Sequence, residues 1–360
     1  MPENGWLIEF ARAAEKTDRL SSSPDHRLLV AAGLLGEAGS ILSEVKKEQR
    51  ERDAYPVYRR RMEEELGDFL WYFVRLVGVL DADFLRELET PPTLESMSEG
   101  TPPLATFLEF GHAVGEILAA VRRATSKEQT RALVQRVWGL LHAVARQAKV
   151  VLQDAAIANT RKIESRWPRD RVHSPLFDNG FAQEEQLPRT LEIEFRERAQ
   201  GALKVVILRC NGINFGDRIT DNIRDPDGYR YHDIFHFAHA VHLGWSPVVR
   251  ALLRCKRKSS ERIDEGEDGA RAAIVEEAIA AVVFSRAKQL KFFEGLDHVD
   301  YDLLKTIGEF SVGYEVENVP LWQWETAILN GYELFRKLRE NQGGRVRLDL
   351  QKRRLNYTPP

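Results

Sequence analysis

Three acidic residues in the first half of the chain have the types and the spacing of a divalent-metal site. Glu65 and Asp68 are three residues apart, so a helix would place both carboxylates on one face, and Glu37 lies on the preceding predicted helix. Carboxylates held close together repel each other unless a cation neutralises them, and Mg²⁺ binds such oxygen ligands together with water and phosphate oxygens. The alternative is that the acidic run 63–65 favours a helix N-terminus while Asp68 is solvated.

The residues around these acids carry a family resemblance. The segments LLGEAGSILSEVKK (34–47) and EEELGDFLWYF (63–73) resemble the MazG family of all-α nucleotide pyrophosphohydrolases. Members of that family hold Mg²⁺ with an ExxE pair on one helix and an ExxD pair on the next, and hydrolyse a (d)NTP to the monophosphate and pyrophosphate. The resemblance implies that Glu37, Glu65 and Asp68 are catalytic ligands of Mg²⁺, with Mn²⁺ as a substitute. It also implies a homodimer.

A third segment extends the resemblance to about residues 6–168. AIANTRKIESRWP (156–168) is similar to the closing helix of the family, in which an Asn and a Lys reach the substrate. Asn159 and Lys162 stand at the matching places. The resemblance therefore implies that both residues bind the nucleoside triphosphate.

One position departs from the family pattern. The ExxE segment here ends in Ser40 rather than Glu, and a neutral hydroxyl is a weaker Mg²⁺ ligand than a carboxylate. Glu44, one turn further on, could contribute to the metal site through water, or could instead pair with Lys47. Lys47 in turn could meet a phosphate or simply stabilise the helix dipole. The change leaves two functions open: a rebuilt active site, or a nucleotide-sensing or interaction protein that no longer hydrolyses.

A second group of candidate metal ligands lies in the other half of the chain: His232, Asp233, His236, His239, Glu276 and Glu277. The first three histidines of this half are at i, i+4 and i+7, on one helical face, and such a pair of histidines forms a two-ligand arm for a transition metal. A third ligand would come from Glu276 or Glu277, and the site could then be a hydrolase centre of its own. The alternative is a buried polar seam in which histidine and acidic side chains satisfy each other.

The elements that must position these groups are predominantly helical. Apolar periodicity predicts helices over Trp6–Arg19, His26–Lys47, Glu63–Val79, Leu104–Ala124, Lys127–Trp167 with a break near Gln153, His232–Leu243, Pro247–Cys255, Ala270–Lys291, Leu303–Tyr314 and Trp322–Glu340. The stretches Thr190–Glu197 and Lys204–Leu208 alternate or are β-branched, and predict a small β-hairpin or the edge of a sheet. A proline-rich stretch, 89–103, and the charged stretch 256–268 are predicted to be loops.

These predictions give a mainly α fold with two domains. A MazG-like all-α bundle over residues 1–168 is followed by a linker at 169–189, a second helical domain at 190–345 and a basic tail at 346–360. Segments of the second domain, such as YRYHDIFHFAHAVHLGWSP (229–247), resemble the helical C-terminal domain attached to some MazG-type proteins. That part of the resemblance carries no activity with it.

Composition excludes several other classes. A net charge of −3 gives no global attraction to nucleic acid or an anionic membrane, so neither is expected as a partner. The two cysteines, Cys210 and Cys255, are too few for a disulfide framework or a thiolate zinc site. The sequence has no secretion-signal pattern at its start and no apolar run of the ~20 residues that span a bilayer. A soluble, cytoplasmic protein is the expectation.

Overall fold

The computed structural model describes residues 5–89, 103–201 and 203–360, with the backbone only at Pro103. The chain forms two compact units, residues 1–167 and 168–360, called the first and the second unit below. The predicted mainly α fold is confirmed. Most of the predicted loop 89–103 lies outside the described residues.

The first unit is built from helices throughout its described part. They are α1 (Trp6–Thr17), α2 (His26–Glu51), α3 (Tyr58–Asp81), the short α4 (Phe84–Glu87), α5 (Pro103–Arg123), α6 (Lys127–Gln147) and α7 (Leu152–Arg166). Each long helix turns an apolar stripe inward, and these stripes form one continuous core around Leu34, Leu66, Phe73 and Phe110. The break predicted near Gln153 falls between α6 and α7.

Two glycines let α3 approach its neighbours closely. A Cβ atom at Gly33 of α2 would lie 2.2 Å from the ring of Tyr72 on α3. A Cβ atom at Gly67 of α3 would lie 2.7 Å from the carbonyl oxygen of Ala155 on α7. Because any side chain at these positions would collide, both helices can lie tightly against α3 only with glycine there. α2, α3 and α7 are the helices that carry the candidate residues of the first unit.

Two helical segments, His26–Ala54 and Leu104–Arg123, are long and apolar enough to cross a membrane. Each also buries one face in the core of the first unit, through residues such as Val30 and Ile41 on the first and Phe110 and Val114 on the second. This one-sided burial is the pattern of a core helix and is consistent with a soluble protein.

The second unit combines helices with a five-stranded antiparallel sheet. Its strands are β1 (Thr190–Gln200), β2 (Leu203–Cys210), β3 (Ile213–Ile219), β4 (Gly343–Asp349) and β5 (Arg354–Thr358), in the spatial order β3-β2-β1-β4-β5. Its helices are α8 (Asp233–Leu243), α9 (Pro247–Leu253), α10 (Glu261–Gly266), α11 (Ala270–Gln289), α12 (Tyr301–Ser311) and α13 (Leu321–Glu340). A single core joins the sheet to α8, α11 and α13.

The sheet contains the predicted hairpin and corrects the prediction of a basic tail. The hairpin of β1 and β2 is part of a larger sheet, because β1 pairs with β4 along its other edge, with Ile193 opposite Val346. The segment predicted as a basic tail, 346–360, contains most of β4 and all of β5. Arginines alternate there with buried Val346 and Leu348, so the charges face outward while the apolar residues enter the core.

The predicted linker 169–189 is also wrong, because it packs as part of the second unit. Asp178 is buried and accepts hydrogen bonds from the guanidinium of Arg250 and the backbone N–H of Leu187. The backbone N–H of Ser174 donates to Gln323. Prolines and polar residues in this stretch therefore mark irregular backbone bound by side chains rather than a free connection.

The charged stretch 256–268 is not an exposed loop. Arg257 is 1% exposed and its guanidinium pairs with Asp268 and Glu315 at 2.7 Å. Residues 261–266 form α10. Of the basic residues in this run only Arg257 is buried, because it has two carboxylate partners, whereas Arg254 and Lys258 are exposed.

Candidate functional site

The three acids of the first unit come together where α2 crosses α3. Glu37 of α2 and Glu65 and Asp68 of α3 each offer a carboxylate oxygen, and these oxygens lie within 4.8 Å of one another. All three side chains are partly buried. Such a group of oxygens matches what a hard divalent cation needs.

Helix α7 brings two further predicted residues to this group. The side-chain amide of Asn159 donates to Asp68 Oδ1 at 2.5 Å, and the Lys162 ammonium pairs with the same oxygen. Asn159 is 4% exposed, and its Oδ1 atom is buried without a hydrogen-bond partner. The close approach of α3 and α7 at Gly67 therefore places an amide and a cation directly against the acidic group.

A negative charge on Glu37 is unfavourable beside the carboxylates of Glu65 and Asp68. Burial, and then repulsion from Asp68 and Glu65, raise the pKa of Glu37 to about 7, against a smaller lowering effect of Lys162. A bound divalent cation would remove this repulsion by neutralising the carboxylates. The fit of the residues to a cation thus rests on the donor atoms and on the charge they accumulate.

Glu44 and Lys47 lie outside this group. Glu44 is 4% exposed, pairs with the Lys47 ammonium and accepts a hydrogen bond from the Tyr55 hydroxyl. The predicted helix ends at Lys47, but α2 continues to Glu51. Lys47 is therefore not in the last turn of the helix. Glu44 and Lys47 therefore pair with each other rather than act as a metal ligand and a phosphate contact. Ser40 lies one turn from Glu37 on α2.

Two aromatic residues beside the acids support the helices. Trp71 Nε1 donates to Thr17 Oγ1 at 3.1 Å, and the Tyr72 ring lies against Gly33. Both rings pack on the core of the first unit. These contacts are those of core packing.

In the second unit, Glu276 is the centre of the polar cluster. Its carboxylate is fully buried and accepts hydrogen bonds from His236 Nδ1 and His239 Nδ1, both at 3.0 Å. Ser246 Oγ and the backbone N–H of Val248 also donate to it. Burial alone would raise the pKa of Glu276, but His236 and His239 lower it to about 2. Glu276 is therefore an ionised acceptor.

The other predicted residues of this cluster lie on the opposite edge of the His236 ring. His236 Nε2 is 3.3 Å from Glu277 Oε1, and His232 Nε2 is 3.5 Å from Asp233 Oδ1 and 4.0 Å from Glu277 Oε2. Burial lowers the pKa of His232 and raises that of Asp233. The structure thus brings all six predicted residues of this half together, but around two separate centres.

Comparison with known families identifies a family for the second unit. A family model described as the MazG C-terminal domain matches residues 172–360, more than half of the chain. The chain belongs to the MazG C-terminal domain family. The match begins inside the segment predicted as a linker, as expected from its packing into the second unit. The acidic group of this MazG-related protein precedes the matched residues.

One curated relative is a phage protein. Gene 37 protein of Mycobacterium phage L5 is 43% identical over 54 residues, which are 14% of this chain and 47% of that protein. The matched region thus spans about half the length of this relative. No solved structure matches the chain.

Sequence reasoning missed the groups that support the predicted residues. Tyr55 holds Glu44, and Ser246 holds Glu276 while also capping α9 through Val249. The Ser246-Pro247 pair was a visible signal for a helix N-terminus. Nothing local to it indicates the distant carboxylate that its hydroxyl contacts.

Proposed function

We propose that the protein is a Mg²⁺-dependent nucleoside triphosphate pyrophosphohydrolase, converting a (d)NTP and water to the monophosphate and pyrophosphate. The observation that carries this proposal is the convergence of Glu37, Glu65 and Asp68 from two helices, with Lys162 and Asn159 against them. Membership in a MazG-related family supports the same activity class.

The ligand set suits magnesium rather than a softer metal. All three groups offer carboxylate oxygen, and three protein oxygens leave coordination positions for water and for phosphate oxygens. When bound, Mg²⁺ would neutralise charge on the triphosphate and on the pyrophosphate that leaves. Glu37, Glu65 and Asp68 are the residues that would hold it.

The residues of α7 have a different task. Lys162 carries a positive charge beside the acids and can contact a phosphate oxygen of the substrate as a point charge. The Asn159 amide N–H donates to Asp68 and restrains it, while its Oδ1 is buried. Together they orient Asp68, and Lys162 offers the triphosphate a cation at one edge of the acidic group.

The proposal includes a homodimer. Leu28 and Leu35 of α2 and Leu104 and Leu108 of α5 are 36–57% exposed, on two helices that pack against each other. Their spacings, seven and four residues, place each pair on one side of its helix. The start of α2 lies beside the end of α5, so the two pairs form separate exposed apolar strips towards opposite ends of these helices. Exposed apolar strips are typical of interaction surfaces, and a second copy of the chain would cover them.

The test is a panel of NTPs and dNTPs with the full chain and Mg²⁺ or Mn²⁺, with products separated by anion-exchange chromatography. We expect monophosphate and pyrophosphate. Asp68→Asn should lower turnover by ~100-fold or more, because changes beside metal ligands alone cost ~10–100-fold. Asp154→Asn, the same substitution at an exposed position of α7, is the control.

Two results would contradict the proposal. Release of orthophosphate instead of pyrophosphate would indicate another reaction, and full turnover in Asp68→Asn would remove the acidic group from the active site. Tight nucleotide binding without turnover in the parent would point to the sensing function.

A further inference from the structure

The polar cluster of α8 and α11 contains more ligand atoms than a buried seam uses. Glu276 already accepts hydrogen bonds from His236, His239 and Ser246 and from the backbone at Val248, so its oxygens are saturated. These bonds satisfy one side of the cluster. They leave unexplained why further carboxylates converge on the other edge of His236.

His232 and His236 are held in the same tautomer. His236 Nδ1 faces the ionised Glu276 carboxylate, and His232 Nδ1 faces the backbone carbonyl oxygen of Tyr229, at 3.0 Å in both cases. Because both partners can only accept, each Nδ1 carries the hydrogen and donates it. Each Nε2 therefore presents its lone pair when the ring is neutral. Metal-binding histidines are typically oriented in this way, by a carboxylate or a carbonyl behind the ring.

The Nε2 atoms point to a place where carboxylate oxygens lie at ligand spacing. Two ligand atoms that are each ~2.1 Å from a tetrahedral ion are roughly 3.4 Å apart. His236 Nε2 lies 3.3 Å from Glu277 Oε1, and His232 Nε2 lies 3.5 Å from Asp233 Oδ1. Ligand atoms of His232, Asp233 and His236 all lie within 4.8 Å of one another.

An independent observation marks this place as a ligand site. His236 is fully buried, and its Nε2 atom faces the Glu277 carboxylate at an ion-pair distance of 3.3 Å without a hydrogen bond of good geometry. A bound ion would give this buried nitrogen a strong partner. The Glu277 side chain is 45% exposed, so the site is open to solvent on that side and an ion can enter there.

We propose that His232, Asp233, His236 and Glu277 bind one divalent transition-metal ion in the second unit. Two imidazole nitrogens and two carboxylate oxygens form a donor set that suits Zn²⁺ and its neighbours rather than Mg²⁺. Glu276 is a positioning residue behind His236 and not a ligand. The site is separate from the all-oxygen group of the first unit and does not depend on the proposed pyrophosphohydrolase activity.

The test uses the full chain, stripped of metal with a chelator and then titrated with Zn²⁺ in equilibrium dialysis, with metal content measured by mass spectrometry. Glu277→Gln keeps the volume of a half-exposed side chain and should weaken binding of one ion by ~10-fold or more. His232→Gln should show the same loss. The control is Glu333→Gln on α13, whose side chain is 48% exposed.

A second measurement separates this site from the acids of the first unit. Zn²⁺ should raise the melting temperature of the parent and of Asp68→Asn, whereas in Glu277→Gln the rise should be smaller or absent. The proposal is overturned if the parent binds no Zn²⁺. It is equally overturned if Asp68→Asn loses the ion while Glu277→Gln and His232→Gln retain it, because the metal then lies only in the first unit.

Discussion

Replacing Glu37 by Gln should stabilise the metal-free first unit, but only at a pH at which Glu37 is ionised. Burial and repulsion from Asp68 and Glu65 raise the pKa of Glu37 from its usual 4.5 to about 7. The folded state therefore binds more protons than the unfolded state between these values, and stability falls as the pH rises from 4.5 to 7. Above pH 7 the whole penalty is present, and below pH 4.5 it is absent.

The size of the effect follows from the same shift. A pKa rise of this extent corresponds to at most ~3 kcal/mol. Glu37 is partly exposed, and solvent screening should reduce the penalty to about 1–2 kcal/mol. That energy changes an opening equilibrium by roughly 5–30-fold. Glu37→Gln should recover it, because the amide keeps the shape of the side chain and removes its charge.

Amide hydrogen exchange read by mass spectrometry can measure this in the first unit alone, through peptides of α2 and α3. Parent and Glu37→Gln are compared at the same pH, in EDTA, so intrinsic exchange rates cancel. The variant should exchange more slowly at pH 8 and like the parent at pH 4, below the unfolded-state pKa of 4.5. Glu15→Gln, on the exposed side of α1, should change neither. Equal exchange at pH 8, or an equal difference at both pH values, would refute the reasoning.

Four further changes test other parts of the structure. Gly67→Ala should destabilise the first unit by ~1–3 kcal/mol and lower the melting temperature, because its Cβ atom would lie 2.7 Å from a carbonyl oxygen of α7. Gly36→Ala is the control: its Cβ atom would have nothing within 4 Å, so the melting temperature should not fall. Arg257→Met should lower the stability of the second unit by up to ~3 kcal/mol in chemical denaturation, since it removes the guanidinium partner of buried Asp268, which keeps Arg250 at 3.6 Å, and of partly buried Glu315. Ser40→Glu should raise Mg²⁺ affinity or turnover; weaker Mg²⁺ binding would show that serine belongs to a rebuilt site. Leu108→Asp should shift the protein from dimer to monomer in light scattering, and an unchanged mass would contradict the proposed dimer surface.

Local spacing predicted the parts of the sites that lie within one helix. Glu65 and Asp68 share a face because they are three residues apart, and His232 and His236 do so because they are four apart. Contacts between distant segments were beyond this reasoning. Lys162 and Asp68 are 94 residues apart, and the family resemblance predicted Lys162 as a substrate contact but not its contact with Asp68.

The errors have the same origin. The tail 346–360 contains enough arginine and lysine to suggest a solvated segment. The alternation of Val346 and Leu348 with charged residues forms a strand because β1 pairs with it. Arg257 is typical of a surface residue until Asp268 and Glu315 surround it. β1 is far from the tail in sequence, and Glu315 is 58 residues from Arg257, so composition alone indicated exposure.

The order of the strands has a consequence for biosynthesis. β1 pairs with β2 on one side and with β4 on the other, yet β4 is translated only after α13 is complete. While the helices between them emerge from the ribosome, one side of β1 carries unpaired backbone N–H and C=O groups. Such an open strand can recruit another nascent chain. A messenger RNA truncated after the codons of α13 should therefore yield a product that aggregates, although it contains every described helix of the second unit.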